Sequence, residues 1–302
     1  SIRLLIAEPG PDGTLSELER RLEIVRLGQG VDATGEFHPD ALRRTLAVVD
    51  DYAQLIHEAG VPATAVHFVA TSASRDARNR EEFYLGVEER LGVLPDVISG
   101  HREAELSFAG ALGAIHSDTE PVLVMDIGGG STELITGTAA GRLQAAVSLD
   151  IGSVRVTERF LKRNPPDPQD VGEAARYIDS LLATCGVDLA AVATWIGVAG
   201  TATTLGGVHV GLPTYDRTKV HGHRLPRGDL EGLLARLTSS TVEEIKALPS
   251  MHPGRADVIT AGTLIASRVA VAIDASEMII SEQDILDGIA LELLHTVREA
   301  GA

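Results

Sequence analysis

A chain of 302 residues, 44% hydrophobic and 23% charged, can bury a substantial core and divide into two domains. Its net charge of -17 argues against a general nucleic-acid binder, since affinity for a polyanion is set by basic contacts to phosphates; any phosphate-bearing ligand has to be held locally. The single cysteine, Cys185, has no disulfide partner in the chain, no N-terminal apolar signal segment is present, and the longest apolar stretch, Val258 to Ile273, is interrupted by Ser267 and Arg268; a cytoplasmic protein without a membrane partner is expected.

The first half alternates strands with helices. Ile2 to Glu8 and Leu22 to Leu27 read as strands around a polar turn at Pro9 to Thr14. From His38 to Gly60, Leu42, Leu46, Val49, Ala53 and Ile56 recur at helical spacing, and Gly60-Val61-Pro62 ends the run. Ala65 to Ala70 is a β-branched strand, followed by a polar segment to Asn79 and a helix at Arg80 to Leu91. Asp96 to Ser99 is a short strand, and Gly100 opens a helix to about Ile115.

The second half begins with strands. Val122 to Ile127, Ser131 to Thr136 and Leu143 to Leu149 form a three-stranded meander, followed by helices at Ser153 to Lys162 and Pro168 to Cys185. Then come strand Thr194 to Val198, a turn at Gly200 to Thr204, a loop through Gly211 to Tyr215, a helix at Asp229 to Leu237, the buried helix Val258 to Ile273, strand Met278 to Ser281 and a C-terminal helix from about Asp284. With only 3% aromatic residues, the core is expected to be mostly Ala, Val, Leu and Ile. Strands alternating with helices of this length indicate a mixed α/β architecture, split into an N-terminal domain (1–115) and a C-terminal domain (116–302).

The segment from Val122 to Thr136 is the most informative. An acid, Asp126, ends an apolar run; Gly128-Gly129-Gly130 follow; Ser131-Thr132-Glu133 open a second run. Glycine lets backbone amides approach a ligand, and successive amides at a turn make a concave anion site. Asp126 and Glu133 would repel phosphate directly, so they make sense there through a divalent cation or a bound water. The residues therefore point to a magnesium-phosphate site. Neither a G-x-x-x-x-G-K-[ST] loop nor a glycine run opening a helix is present.

An internal match accompanies it. Ser1-Ile2-Arg3-Leu4-Leu5-Ile6-Ala7 aligns with Ser131-Thr132-Glu133-Leu134-Ile135-Thr136-Gly137, so a segment like Val122 to Gly130 is expected before Ser1.

Several motifs in order resemble the exopolyphosphatase and guanosine pentaphosphate phosphatase family. They are Ala70 to Asn79, Ile98 to Leu106, Asp126 to Glu133, Ser148 to Arg155, Gly200 to Ala202, Arg255 to Gly262 and Ser281 to Gly288. The resemblance covers essentially the whole chain. It implies an α/β chain of two ribonuclease-H-like domains with an actin-like fold flanking a cleft, a phosphate loop from each, and commonly a homodimer. It implies hydrolysis of the terminal phosphoryl group of inorganic polyphosphate or guanosine pentaphosphate with Mg2+. By motif position Glu103 is then the general base, Asp126 and Glu133 handle magnesium and water, Gly128, Gly129, Gly130 and Ser131 form one phosphate loop, and Gly152-Ser153 with Arg155 pack near the cleft.

Two departures from the family pattern stand out. The family's first phosphate loop is D-x-G-[TS]-N-S, and Ser1 stands where its last serine would stand, so the first strand and loop are expected to be missing from this chain. The family also carries two adjacent acids on the catalytic helix, where this chain has Arg102-Glu103.

Phosphoryl transfer to water needs positioning, charge neutralisation and an acid that orients or deprotonates the water. Glu103, in the first turn of its helix, fits that part, although an acid in a first turn is also simply stabilised by the helix dipole. Arg75 and Arg78 follow a buried strand, where an arginine can clamp phosphate bidentately or be merely solvated. Gly200-Thr201 follows a strand and opens a helix, which makes either an anion site or a plain cap. Lys219, His221, His223 and Arg224 are the densest basic cluster; His221-Gly222-His223 also has the look of a metal pair without further ligand spacing. Arg255 beside Asp257 reads equally as a structural ion pair or a substrate contact.

Two functions from different classes survive: a hydrolase acting by magnesium-assisted attack of water, and a non-catalytic regulatory protein that binds a nucleotide or alarmone. An actin-like kinase is disfavoured because no acceptor-binding segment is evident.

Overall fold

The computed structural model describes residues 1–10, 15–112, 115 and 119–301, without the side chains of Ser72, His295 and residues 297–301. Residues 11–14 of the expected turn, and 113–114 near the end of the helix expected to reach Ile115, lie outside the described residues. In chain order the elements are β1 (Ile2–Pro9), β2 (Leu15–Glu23), α1 (Val31–Thr34), α2 (Pro39–Glu58), β3 (Val69–Ala70), α3 (Ser72–Asp76), α4 (Arg80–Leu91), β4 (Asp96–Val97) and α5 (Gly100–Leu112). There follow β5 (Val122–Ile127), β6 (Thr132–Gly137), β7 (Leu143–Leu149), α6 (Ser153–Arg159), α7 (Pro168–Leu182), β8 (Thr194–Val198), α8 (Ala199–Val210), α9 (Arg217–Val220), β9 (Arg224–Pro226), α10 (Arg227–Ser239), α11 (Val242–Lys246), α12 (Ile259–Ala272), β10 (Glu277–Ile280) and α13 (Ile285–Gly301).

These elements form two compact units, Ser1–Leu106 with Leu286–Ala302, and Ser107–Ile285. The sequence reading drew a single boundary, after residue 115. The difference lies in α13, which packs with the first unit: a side chain at Gly288 would stand 2.0 Å from the Leu106 carbonyl oxygen, and Asp287 accepts from Arg20 of β2 at 2.6 and 3.3 Å.

In the first unit β1 and β2 pair antiparallel, with a bulge at Ile6/Ala7, and β3 and β4 pair parallel. Among the described residues no strand joins the two pairs. The helix at α2 matches its spacing: Pro39 sits at the first position, the His38 ring accepts from the Asp40 amide at 3.2 Å, and Leu42, Val49 and Tyr52 are buried. The core of this unit is mostly Ala, Val, Leu and Ile, as expected, with an aromatic cluster among them. Phe83 meets Phe37 and Phe68 edge-on with ring centres 5.9 Å apart, so three of the five phenylalanines gather here.

The second unit is built on a six-stranded sheet in the order β7-β6-β5-β8-β10-β9. The meander β5-β6-β7 is antiparallel, whereas β8 and β10 run parallel to β5. Every residue of β5, β6 and β8 is buried, as strands covered on both faces must be. α12 is buried along nearly its whole length, from Ile259 to Ala270, in agreement with the buried helix read from sequence. No helix of the described residues is long and apolar enough to cross a membrane.

Two expectations are corrected. The second strand runs from Leu15 to Glu23 instead of Leu22 to Leu27, because LSELERRLE shows no buried face on which to fix its register and instead lies exposed or half-exposed throughout. The turn expected at Gly200 to Thr204 is the start of the twelve-residue helix α8, whose residues 201–208 are all buried; tertiary packing overrides the weak helix propensity of Gly-Thr-Ala-Thr-Thr-Leu-Gly-Gly.

The ion pair that ties α13 to β2 gives a direct test. Arg20 and Asp287 are largely buried, and Asp287→Ala leaves the guanidinium with Glu17 as its remaining carboxylate partner. The variant is expected to lose about 2–3 kcal/mol in urea unfolding. Asp40→Ala, in an exposed pair with Arg43, is expected to lose at most about 0.5 kcal/mol.

Candidate active site

The glycine turn sits at the carboxyl end of β5, where neighbours run antiparallel on one side and parallel on the other. Ligands favour such a switch point because loops diverge there. Ile127 pairs with Thr132 across the hairpin, and the Gly128 amide donates to the Ser131 carbonyl at 3.0 Å. The first turn of α6 then fixes the carbonyls. Ser153 donates to the Gly128 carbonyl through its amide at 2.9 Å and its hydroxyl at 3.2 Å, and the amides of Val154 and Arg155 donate to the Gly129 carbonyl at 3.0 and 3.1 Å. With these carbonyls held toward α6, the amides of Gly129, Gly130 and Ser131 donate to no acceptor among the described residues. Three consecutive amides left in this way form an anion cradle.

The glycines are required by contact. A side chain at Gly152 would lie 2.3 Å from the Gly129 carbonyl carbon and oxygen and 2.5 Å from the Gly130 nitrogen. Thr132 closes the base of the turn by donating to the Ile151 carbonyl.

Asp126 and Glu133 are cross-strand partners, so their side chains leave the same face of the sheet beside the turn. Both are buried, at 6% and 1% exposure, and Glu133 accepts from the Ser148 hydroxyl at 2.7 Å. Two carboxylates beside an anion cradle suit a small hard cation that takes its remaining ligands from water and phosphate, as magnesium does. Among the described residues no group of three or more His, Cys, Asp or Glu could hold a metal ion.

Glu103 lies in the first unit, in the first turn of α5, where Ser99 caps the helix by accepting from the Arg102 amide at 3.1 Å. It is 8% exposed and accepts from Arg75 Nη1 at 2.9 Å. Burial pushes its carboxyl above the usual range, and Arg75, a hydrogen bond from Thr71 and the charge of Arg3 draw it part of the way back. The same Nη1 donates to the Ile98 carbonyl at 2.9 Å. Arg75 Nε and Nη2 donate to nothing among the described residues, so the guanidinium can hold Glu103 with one nitrogen and meet phosphate oxygens with the others.

The remaining candidates divide. Ser1 is exposed at the start of β1, two residues before Arg3. Gly200 and Thr201 do open a helix, but the Thr201 hydroxyl donates to the Ile127 carbonyl at 3.0 Å, which leaves the first-turn amides as the donors this segment offers. Arg255 lies where a Gly200 side chain would be and donates to the Gly200 carbonyl at 2.5 Å and to Thr204 at 2.8 Å. It secures the helix start. Ala199, at the turn from β8 into α8, has φ 58°, a conformation that strains a residue other than glycine.

The basic cluster is dispersed. His223 Nε2 meets His209 Nδ1 at 2.7 Å, His221 Nδ1 accepts from the Glu282 amide, Lys219 faces Asp216 and Arg224 pairs with Glu277. The H-x-H spacing therefore does not make a metal pair. Arg78 is likewise structural, donating to the Thr34 carbonyl and Glu36. Sequence reasoning singled out neither Thr71 nor Ser148, although both lie inside motifs it quoted; their partners, Glu103 and Glu133, are 32 and 15 residues distant.

The sequence matches the Ppx/GppA phosphatase family over residues 5–297. It is 44% identical over 309 aligned residues to Exopolyphosphatase 2 of Mycobacterium tuberculosis, covering 97% of this chain and 95% of that protein. Among solved structures, a Ppx/GppA family member from Aquifex aeolicus is 30% identical with a TM-score of 0.81, covering 98% of this chain and 94% of that one. An exopolyphosphatase from Cytophaga hutchinsonii is 26% identical with a TM-score of 0.88, covering 97% and 94%. The fold is the actin-like α/β fold of these proteins.

The contact between Gly152 and the turn makes a sharp contrast possible. Gly152→Ala is expected to cost about 2–4 kcal/mol in urea unfolding, because backbone and not a flexible side chain must move. Gly228→Ala, in α10 with open space around it, is expected to be neutral or to gain up to about 1 kcal/mol.

Proposed function

The chain belongs to the Ppx/GppA phosphatase family, and from that premise we propose that it is a phosphohydrolase releasing terminal phosphate from inorganic polyphosphate by attack of water. The observation that carries this reading is the set of three unbonded amides at Gly129, Gly130 and Ser131 beside the buried pair Asp126 and Glu133. A cradle of this kind suits the oxygens of a phosphoryl group, and preorganised donors act strongest where solvent is excluded. Guanosine pentaphosphate, which also ends in a phosphoric anhydride, is the second substrate proposed.

In this reaction the water oxygen bonds to the terminal phosphorus, the bond from phosphorus to the leaving phosphate chain breaks, and the water proton passes to a base. Glu103 suits the base: it is buried, its carboxyl sits above the usual carboxylate range, and Arg75 fixes its orientation. Arg75 Nε and Nη2 suit phosphate oxygens as ligands, and the first-turn amides of α8 suit them as further donors. Asp126 and Glu133 would hold Mg2+, which when bound supplies charge neutralisation for the phosphate chain. A cytoplasmic homodimer remains part of the proposal.

The direct test is orthophosphate release from polyphosphate and from guanosine pentaphosphate, with Mg2+ and after its removal by a chelator. Release that stops on chelation and resumes on adding Mg2+ is expected; a folded protein that binds either compound without turnover would instead identify the regulatory binder.

Glu103→Gln separates catalysis from stability. Because burial raises the carboxyl's folded value, the unfolded chain releases this proton first as pH rises, and the fold loses stability between the ordinary and the raised values. The variant is expected to turn over at least about a hundredfold more slowly. Its melting temperature should match wild type below the ordinary glutamate range and come to exceed it as pH rises through the raised value. Equal turnover in both proteins, or a melting difference unchanged by pH, contradicts the assignment.

A further inference from the structure

The register that sets Asp126 opposite Glu133 continues one strand outward. Glu133 faces Ser148 on β7, so three polar side chains stand in line on one face of the sheet at the end that carries the glycine turn. Ser148 is half-buried, and its hydroxyl makes a single hydrogen bond among the described residues, to Glu133 Oε1 at 2.7 Å. Glu133 is 1% exposed, so bulk solvent does not compete for that bond.

Burial by itself leaves the carboxylate plane undetermined. The terminal torsion of glutamate is broad and roughly two-fold, and a small turn about it changes which oxygen meets a ligand. A donor held on the neighbouring strand removes that freedom. β7 supplies such a donor from a position fixed by the ladder on both sides, Leu134 against Val147 and Thr132 against Leu149.

We propose that Ser148 is a positioning residue, fixing the Glu133 carboxylate plane so that its second oxygen meets the divalent cation or the attacking water. The inference rests on the phosphohydrolase reading for its chemistry and on the β6-β7 ladder for its geometry. Hydrogen-bonding partners of ligating carboxylates set their orientation, and losing one weakens metal binding or activity without removing a ligand.

The test compares wild type with Ser148→Ala, Ser148→Thr and Ser148→Val. Threonine keeps the hydroxyl, and valine copies threonine's shape without it. Mn2+ binding to each protein without substrate is followed by the paramagnetic resonance of the free ion; kcat, the half-activating Mg2+ concentration and KM for polyphosphate are measured separately. Ser148→Ala and Ser148→Val are expected to bind Mn2+ about tenfold more weakly and to lose about tenfold in kcat, with KM within about twofold. Ser148→Thr is expected within about threefold of wild type. Wild-type Mn2+ affinity in the alanine and valine variants, or equal impairment of threonine and valine, overturns the inference. Should wild type release no phosphate at all, the hydrolase reading fails, and the Mn2+ comparison still decides whether Ser148 positions Glu133.

Discussion

The candidate site depends on one constraint: the carbonyls of the glycine turn are already occupied. Gly128 and Gly129 give their oxygens to the first turn of α6, whose amides would otherwise lack partners. A helix start usually offers its amides to a ligand. Here that capacity orients a loop, and the loop offers the next three amides in turn. The arrangement requires backbone to lie against backbone at Gly129 and Gly152, and it requires β5, β6 and α6 to keep their mutual positions within a few tenths of an ångström. The full burial of β5 and β6 and the burial of Val156 on α6 supply that rigidity.

On the function proposed here, the first unit meets a different demand. A carboxylate used as a base has to be buried enough to hold a proton and yet ionised when the reaction starts. Glu103 is set between these demands by opposing contributions, burial on one side and Arg75, Thr71 and Arg3 on the other. Arg75 is suited to this because its planar fork can bond two partners at once, whereas a lysine would present a single point charge. The same guanidinium ties α3 to the start of α5 through the Ile98 carbonyl, so the position of Glu103 and that of Arg75 are set together.

Much of the second unit was legible because its pattern is strong and local. The acid-glycine-serine run of 126–133 names its own turn, Asp126 and Glu133 fall opposite each other once the hairpin is assumed, and the apolar stretch from Val258 has too few polar breaks to be anything but buried. What escaped had either a weak local pattern or a distant partner. α8 carries glycine and threonine at positions that only its buried environment makes helical. β2 exposes or half-exposes both faces, so its sequence could not fix where the strand begins. Arg255 and His221 were ambiguous because partners of theirs, the Gly200 carbonyl and the Glu282 amide, are backbone groups 55 and 61 residues away, which a reading of side-chain types does not reveal. The motif resemblance supplied what spacing could not, the assignment of Glu103 over the other first-turn acids.

On the function proposed here, the buried acids bear on how a chain this acidic could serve a polyanion. Glu103, Asp126 and Glu133 are each less than 9% exposed, in a protein whose net charge is -17. Burying a carboxylate is costly unless the protein or a ligand compensates it. Arg75 pairs with Glu103, and Ser148 donates a hydrogen bond to Glu133. On the function proposed here, a bound cation would offset charge on the carboxylates, and the cradle would accept the phosphate that arrives with it. Stability and affinity are then linked, since a ligand that binds only the folded chain stabilises it in proportion to its binding. The long-range repulsion between the protein and the proposed substrate would act through screened surface charge, whereas these contacts would act at hydrogen-bond distance, and at that range the local terms prevail.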